Sequence, residues 1–283
     1  MLKIFNLFKK YLKPRHRSAD LALMSCLCTE EMLLSNTFQD LAEKLGEKRG
    51  HLHRKVWEWC FIVQALKERG FLQGGKYGLG FAVGQEPLSA LFASLGAKIL
   101  ATDLFSEEAQ ANGWAKTNQH ANGYEAINLR GLCEPYKLKE LVEFQFANMN
   151  SIGEEFFGRF DFVWSSCALE HLGSLEHGKQ FIYNSMKCLK PGGLAVHTTE
   201  FNISSNNETV DFAGTVLFRK KDIEEIVGQL RKDGYEIEVN FNEGEGAADN
   251  HVDIPPYKQT THLKLLIGKY KVTSIGLIIK KLH

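Results

Sequence analysis

The chain has 283 residues, 44% hydrophobic and 24% charged, enough for one large domain or a domain with an added cap. Lysine plus arginine and aspartate plus glutamate each total 34, so no global basic field draws the chain to nucleic acid. No run reaches the ~20 apolar residues a membrane span needs, and the six cysteines form no CxxC pair, which points to a reduced, cytoplasmic protein.

Met1, Phe5, Phe8 and Leu12 recur at helical spacing, with Lys3, Lys9, Lys10 and Lys13 around them. The lysines break the apolar stretch too often for a signal peptide. Such a basic amphipathic helix packs on its own domain or a partner, or lies on a membrane surface. A peripheral membrane or protein contact through residues 1–13 therefore stays open. Residues 1–70 read as an N-terminal helical cap. Its strongest helix runs from His53 to Arg69, with Val56, Trp59, Cys60, Val63 and Leu66 on one apolar face. That spacing puts Trp59 in the core. Arg54 and Lys55 are candidates for holding an anionic group.

Residues 71–283 alternate strand and helix patterns. Strands are expected at 76–80, 98–102, 142–146, 160–165, 194–199, 235–240 and 273–280, with helices between them. This predicts an α/β fold: a Rossmann-like, seven-stranded, mostly parallel sheet with helices on both faces. The last segment, Thr273 to Ile279, is apolar on both faces and reads as an inner or inserted strand. Two long insertions, 201–218 and 242–269, follow strand C-termini, the edge where ligands bind in such sheets.

The first strand runs into a glycine-rich turn, Gly78-Leu79-Gly80-Phe81-Ala82-Val83-Gly84, followed by the apolar run Leu88 to Leu95. The next strand ends on Asp103. Glycines let backbone approach a ligand closely, a helix N-terminus offers free N–H groups, and an acid on the second strand's tip accepts hydrogen bonds from ribose hydroxyls. Together they make a nucleoside pocket.

Three later features extend this pattern. They are Phe160 to Leu172, with its Leu169-Glu170-His171-Leu172 segment; the turn Leu189-Lys190-Pro191-Gly192-Gly193; and the separation of about one helix between them. With Gly78–Gly84 and Asp103, they resemble the class I S-adenosylmethionine-dependent methyltransferases over roughly residues 50 to 283. The chain is also similar to bacterial methyltransferases that accompany polysaccharide assembly. The resemblance implies S-adenosylmethionine as cofactor. Gly78, Gly80, Ala82 and Gly84 would lie against it, Asp103 and Leu104 at its ribose, Asn148 and Met149 at its adenine, and Ser165 near its reactive end. The chain departs from the family at position 78, where Gly78 stands in place of an acid. Glu86, or a residue of the 51–58 stretch, is the candidate to replace it.

Methyl transfer depends on placing a nucleophile in line with the activated carbon, and orientation can supply ~7–11 kcal/mol. A hydroxyl nucleophile must also lose its proton to a base. Glu170 and His171, after the fourth strand, are the catalytic candidates, with His171 as general base. His197, Glu200, Tyr257 and His262 are candidates for the substrate pocket. His197, Glu200 and His262, with His251 and Asp253, could instead hold a divalent metal, but no tight ligand spacing supports this, and no metal ligands are assigned. The reading is an O-methyltransferase of a glycan or small-molecule hydroxyl. An N- or C-methyltransferase, a non-catalytic partner subunit and, less favoured, an NAD-dependent oxidoreductase remain as alternatives. Oligomeric state is left open.

Overall fold

The structure, a computed structural model, describes residues 22–104, 124–212 and 214–283. The basic stretch at residues 1–13 lies outside them. The chain begins with β1 (Ser25–Leu27), the helices α1 (Glu30–Leu33) and α2 (Asn36–Lys44), the short β2 (Leu52–His53) and the long helix α3 (Arg54–Glu68). Alternation follows: β3 (Tyr77–Phe81), α4 (Leu88–Ser94), β4 (Lys98–Asp103), α5 (Pro135–Leu141), β5 (Val142–Phe146), β6 (Phe160–Ser166), α6 (Leu175–Ser185) and β7 (Leu189–Asn202). The last third holds the hairpin β8 (Asp211–Phe212) and β9 (Thr215–Val216), then α7 (Lys220–Lys232), β10 (Tyr235–Glu236) and β11 (Val239–Asn240). It closes with β12 (Thr261–His262), β13 (Leu265–Ile267) and β14 (Tyr270–Lys281).

The main sheet runs β11-β1-β14-β7-β6-β3-β4-β5. From β7 to β5 all pairs are parallel. β14 enters antiparallel beside β7, from Val272 opposite Asn202 to Lys280 opposite Leu194. This is the inner strand expected from its two apolar faces. The four-residue stretch Leu277 to Lys280 lies against Leu194 to His197.

The sheet has ten strands rather than seven, and two of the three additions have one cause. The N-terminal segment, expected to be wholly helical, supplies β1, whose three residues are all buried. It pairs with β14 at Cys26–Gly276 and Leu27–Ile275. It thereby takes the edge that the expected strand at 235–240 would have used. That strand splits: β10 stays on β14, and β11 moves to the far side of β1. β13 completes the set on β14.

Helix α3 starts where the His53 imidazole accepts a hydrogen bond from the Lys55 N–H, the N-cap arrangement that satisfies an otherwise orphan donor. It packs on β7 and β14 and against α2, so ten of its fifteen residues are buried. A helix covered on two sides has no single apolar stripe. This is why Trp57, stacked on Phe61 at 4.9 Å, is the core tryptophan, and Trp59 is only half-buried. Apolar side chains fill both faces of the sheet, one layer around Phe61, Phe92, Phe162 and Trp164, the other around Phe81, Phe181 and Ile226.

Two glycines of β3 are required by close approach. A Cβ on Gly78 would lie 2.2 Å from the Phe162 ring, and one on Gly80 would lie 2.3 Å from the Trp164 indole. Both rings are fully buried and meet Phe92 edge-on at 5.8 and 5.0 Å. In a close-packed core, adding even one methyl here forces a shift. Gly78→Ala should therefore destabilise the fold by about 1–3 kcal/mol. Combining it with Phe162→Leu should recover part of that loss. Thermal unfolding of the two single variants and the double variant checks this, and strictly additive losses would contradict it.

Candidate functional site

A cleft of about 540 Å³ opens at the carboxyl ends of the parallel strands. Ala82, Val83, Gly84, Gln85 and Glu86 from the turn after β3 form one side, with Asp103 and Leu104 from the tip of β4. Ala147 to Asn150 follow β5; Ser166 ends β6, and Cys167, Ala168, His171 and Leu172 follow it. The opposite wall comes from the N-terminal region: Glu47, His51, His53, Lys55, Val56 and Trp59, with Gln259 from the late insertion. The volume is that of a small-ligand pocket.

Of the residues expected at the cofactor, Ala82, Gly84, Asp103, Leu104, Asn148 and Met149 line this cleft. Asp103 is 6% exposed; its Oδ2 accepts the Gly84 N–H at 3.1 Å and its Oδ1 the Leu104 N–H at 2.8 Å. These bonds hold the carboxylate at the mouth of the glycine turn. Ala82 has φ 48 and Cys167 φ 49. Non-glycine residues in the left-handed region carry strain of about 1–3 kcal/mol each and persist only where the surroundings over-determine them. They stand on two walls of the same cleft.

Gly78, Gly80 and Ser165 do not line it. The glycines face the Phe162 and Trp164 rings inside the sheet. Ser165 turns away from the cleft, to His197, whose Nδ1 it meets at 2.9 Å. The Ser185 hydroxyl donates to the Ile182 carbonyl at 2.8 Å and so accepts the His197 Nε2–H at 3.1 Å, which leaves Nδ1 to accept from Ser165. His197 is therefore a satisfied core residue, neutral because burial pushes its pKa down to about 3. The expectation that it lines a substrate pocket is corrected. Period-2 alternation sends it to the α6 side of the sheet.

His171 lines the cleft, and its Nδ1–H donates to the Gly214 carbonyl at 3.1 Å. Glu170 lies behind the wall, fully buried, with Oε2 accepting from Thr199 Oγ1 at 2.9 Å. Glu200 is buried too and pairs with Arg54 Nη2 at 2.5 Å. Tyr257 does not line the cleft; its hydroxyl donates to the Leu266 carbonyl at 2.7 Å and anchors the late insertion. His262 also stays off the cleft surface. It is buried, with Nδ1 2.6 Å from Asp253 Oδ2, and stacks on the cleft-lining His53 at 4.7 Å. Burial, reinforced by His262 and Arg54, lowers the His53 pKa to about 4, so this ring is neutral.

Under the cleft floor, Arg54 binds Glu58 at 3.0 Å, Cys167 Sγ at 3.1 Å, Ser274 at 3.3 Å and Glu200. Cys167, Glu170 and Glu200 bring one ligand atom each within 4.8 Å of one another. The Arg54 guanidinium, however, already supplies the positive charge at two of the three, so the group is an arginine-centred ion network rather than a metal cage. Arg54 is thus structural, and Lys55 is the cation that reaches the cleft. Cleft residues that sequence reasoning did not place in the site include Glu47, Trp59, Gln85, Asn150, Cys167 and Gln259, whereas His51 and His53 belong to the 51–58 stretch it singled out. The His51-x-His53 alternation before α3 is the local signal of that stretch.

Glu86, like His53, is a strongly shifted titrating group of the cleft. Its Oε1 accepts from Trp164 Nε1 at 2.8 Å, yet burial outweighs that bond and raises its pKa from 4.5 to about 8. A raised folded pKa means full stability below the unfolded value and progressive loss as pH rises through about 8. Glu86→Gln should therefore be near neutral at pH 4.5 and more stable than the parent above pH 8. The gain should be on the order of 1–3 kcal/mol, less than the full shift because the group borders a solvent-filled cleft. Denaturant melts across that pH range test the sign.

Residues 79–197 match the family described as "Methyltransferase domain". Similar solved structures include a magnesium protoporphyrin IX methyltransferase from Synechocystis PCC 6803 with bound SAH. It is 15% identical, with TM-score 0.43 and coverage of 89% of this chain and 97% of that one. An S-adenosylmethionine-dependent methyltransferase from Mesorhizobium loti is 12% identical, with TM-score 0.45 and coverage of 76% and 95%. The cyclase SpnF is 18% identical, with TM-score 0.42; the match takes in 62% of this chain and spans 57% of the cyclase's length. No curated protein matches the chain. Among the described residues no helix is long and apolar enough to cross a membrane. The matched segment runs from β3 to β7, the strands whose tips form the cleft, and it contains the cleft-lining Asp103. Residues 79–197 therefore match the model of a methyltransferase domain, on a Rossmann-like sheet whose strand order is shown by the structure.

Proposed function

We propose that the protein methylates a hydroxyl oxygen of a small-molecule or glycan acceptor, with His171 taking the hydroxyl proton. The observation that carries this reading is an oriented imidazole in the wall of the cofactor cleft. Donation of Nδ1–H to the Gly214 carbonyl leaves the lone pair on Nε2. The hairpin β8–β9 thus works as the brace of a base. When bound, the cofactor supplies a sulfonium-activated methyl group and needs no further activation. Asp103, Leu104, Asn148 and Met149 would hold its nucleoside, and Ala82 to Gly84 its amino-acid end.

What remains for this chain is to orient the acceptor, keep water out and receive one proton. The N-terminal wall suits the first task. Trp59 offers a half-buried ring, and His51, His53 and Gln259 beside it offer hydrogen-bonding groups. An aromatic face bordered by such groups fits a hydroxylated acceptor better than an apolar or strongly charged one. Two carboxylate contacts stiffen this wall: Glu47 holds His51 Nδ1 at 3.0 Å and is itself bound by Arg130 at 2.7 Å.

Two outcomes follow. Asp103→Ala removes charge-assisted hydrogen bonds worth ~1.5–3 kcal/mol, so S-adenosylmethionine affinity should fall about 10- to 150-fold. A loss below threefold by calorimetry would refute the ribose contact. His171→Ala should cut turnover by about 10²- to 10⁴-fold while leaving cofactor affinity unchanged. That is read with labelled cofactor and a metabolite or glycan extract, with mass spectrometry of the methylated product. Undiminished turnover with chemistry limiting would favour a nitrogen or carbon acceptor, which needs no such base.

A further inference from the structure

Among the described residues, one carboxyl of the cleft, that of Glu86, has its nearest facing cation committed to another acid. Glu86 lines the cavity, bonded through Oε1 to the Trp164 indole N–H. Among the described residues none forms an ion pair with it. Lys55, which faces it from α3, is paired with Glu58 at 3.4 Å. The other charged groups that face Glu86 are Glu58, also on α3, and Asp103 on the tip of β4; both are acids. A carboxyl kept in a ligand cleft against its desolvation cost, among further acids, is matched to a cationic ligand group.

The same packing explains why this acid stands at 86 and not within β3. Position 78 leaves no room for a side chain, because its Cβ would enter the Phe162 ring. Position 80 is equally closed by Trp164. The ring that closes position 80 is the one that carries the hydrogen bond to Glu86, so a single side chain both removes the nearer place for an acid and orients the farther one.

We propose that Glu86 is the ionic partner of the α-ammonium group at the methionine end of the cofactor. This rests on the cofactor reading of the cleft. The cofactor carries two cationic centres, a sulfonium and an ammonium. Only the ammonium has N–H donors to give to a carboxylate, and a charge-assisted hydrogen bond needs them. The sulfonium must also stay open to the acceptor. Binding then favours the ionised carboxylate, and the pKa of about 8 in the free protein means that most of the protein gives up a proton on binding at pH 7.

The test uses two ligands on the full-length protein. S-Adenosylhomocysteine has the ammonium and no sulfonium; 5′-methylthioadenosine has the nucleoside and neither cation. Calorimetry at pH 7 in two buffers of different ionisation enthalpy counts protons. With the parent protein, S-adenosylhomocysteine should release close to one proton and methylthioadenosine close to none. Glu86→Gln should abolish that release and weaken S-adenosylhomocysteine at least tenfold, with methylthioadenosine changed less than twofold. Retained S-adenosylhomocysteine affinity, or an equal loss for both ligands, would overturn the assignment. If the parent protein bound neither ligand, the cofactor reading itself would fall, a result distinct from any effect of the variant.

Discussion

The interlock of β6 with β3 sets the chemistry of the whole site. Phe162 and Trp164 push their rings into the space that side chains at 78 and 80 would occupy. Dense packing makes this an exclusive choice: a ring or a β3 side chain, not both. The sheet gains two large buried aromatics in contact with Phe92. The strand that leads into the glycine turn is left without polar side chains at those two positions. Ionisable side chains in the cleft must come from elsewhere, and they include Asp103, Glu86 and those of the N-terminal wall.

That wall is fixed by a buried ion network as much as by apolar contact. Arg54 ties α3 to β7 through Glu200, to β14 through Ser274 and to the end of β6 through Cys167. Burial opposes the charge on Glu58, but Lys55 and Arg54 overcome it and keep its pKa below the usual value. Such a network adds little net stability over an apolar core, yet breaking one member leaves an uncompensated charge and costs ~3–5 kcal/mol. It specifies where α3 sits, and through α3 where His53, Lys55 and Trp59 meet the ligand. Cys167, held in its left-handed conformation, lies where this network touches the cleft. The network and the strained turn are therefore one device.

A second tie joins the two ends of the chain. β2 pairs with β12 in parallel, Leu52 with Thr261 and His53 with His262. Behind them Asp253 accepts from His262 and from the N–H groups of Lys258 and Gln259. Burial works against its charge, but these bonds bring its pKa to about 2. The late insertion is thereby fastened to the N-terminal wall, and it places Gln259 in the cleft. The long insertion is structural in its anchor and reaches the ligand space at one residue.

Much of this was legible in the order of residues. Apolar runs alternating with helical patterns dictate a parallel sheet, because only that arrangement buries them. The glycine turn and the acid at the next strand's tip mark a nucleoside cleft by local chemistry, which names Asp103; Asn148 and Met149 came from the family resemblance, and all three line the cleft. What spacing could not tell is which side of a doubly covered element faces the ligand. His197, Ser165 and Trp59 were misplaced for that reason, since alternation gives a face but not its occupant. The strand β1 was hidden because three residues carry too little periodicity, and only the open edge of β14 made them a strand. The N-terminal wall, the arginine network and the isolated carboxyl of Glu86 arise from contacts between residues far apart in the chain. Local sequence determined the elements and the ligand class; three-dimensional packing alone decided which charges meet the ligand, because desolvation and partner distance exist only once the chain has folded.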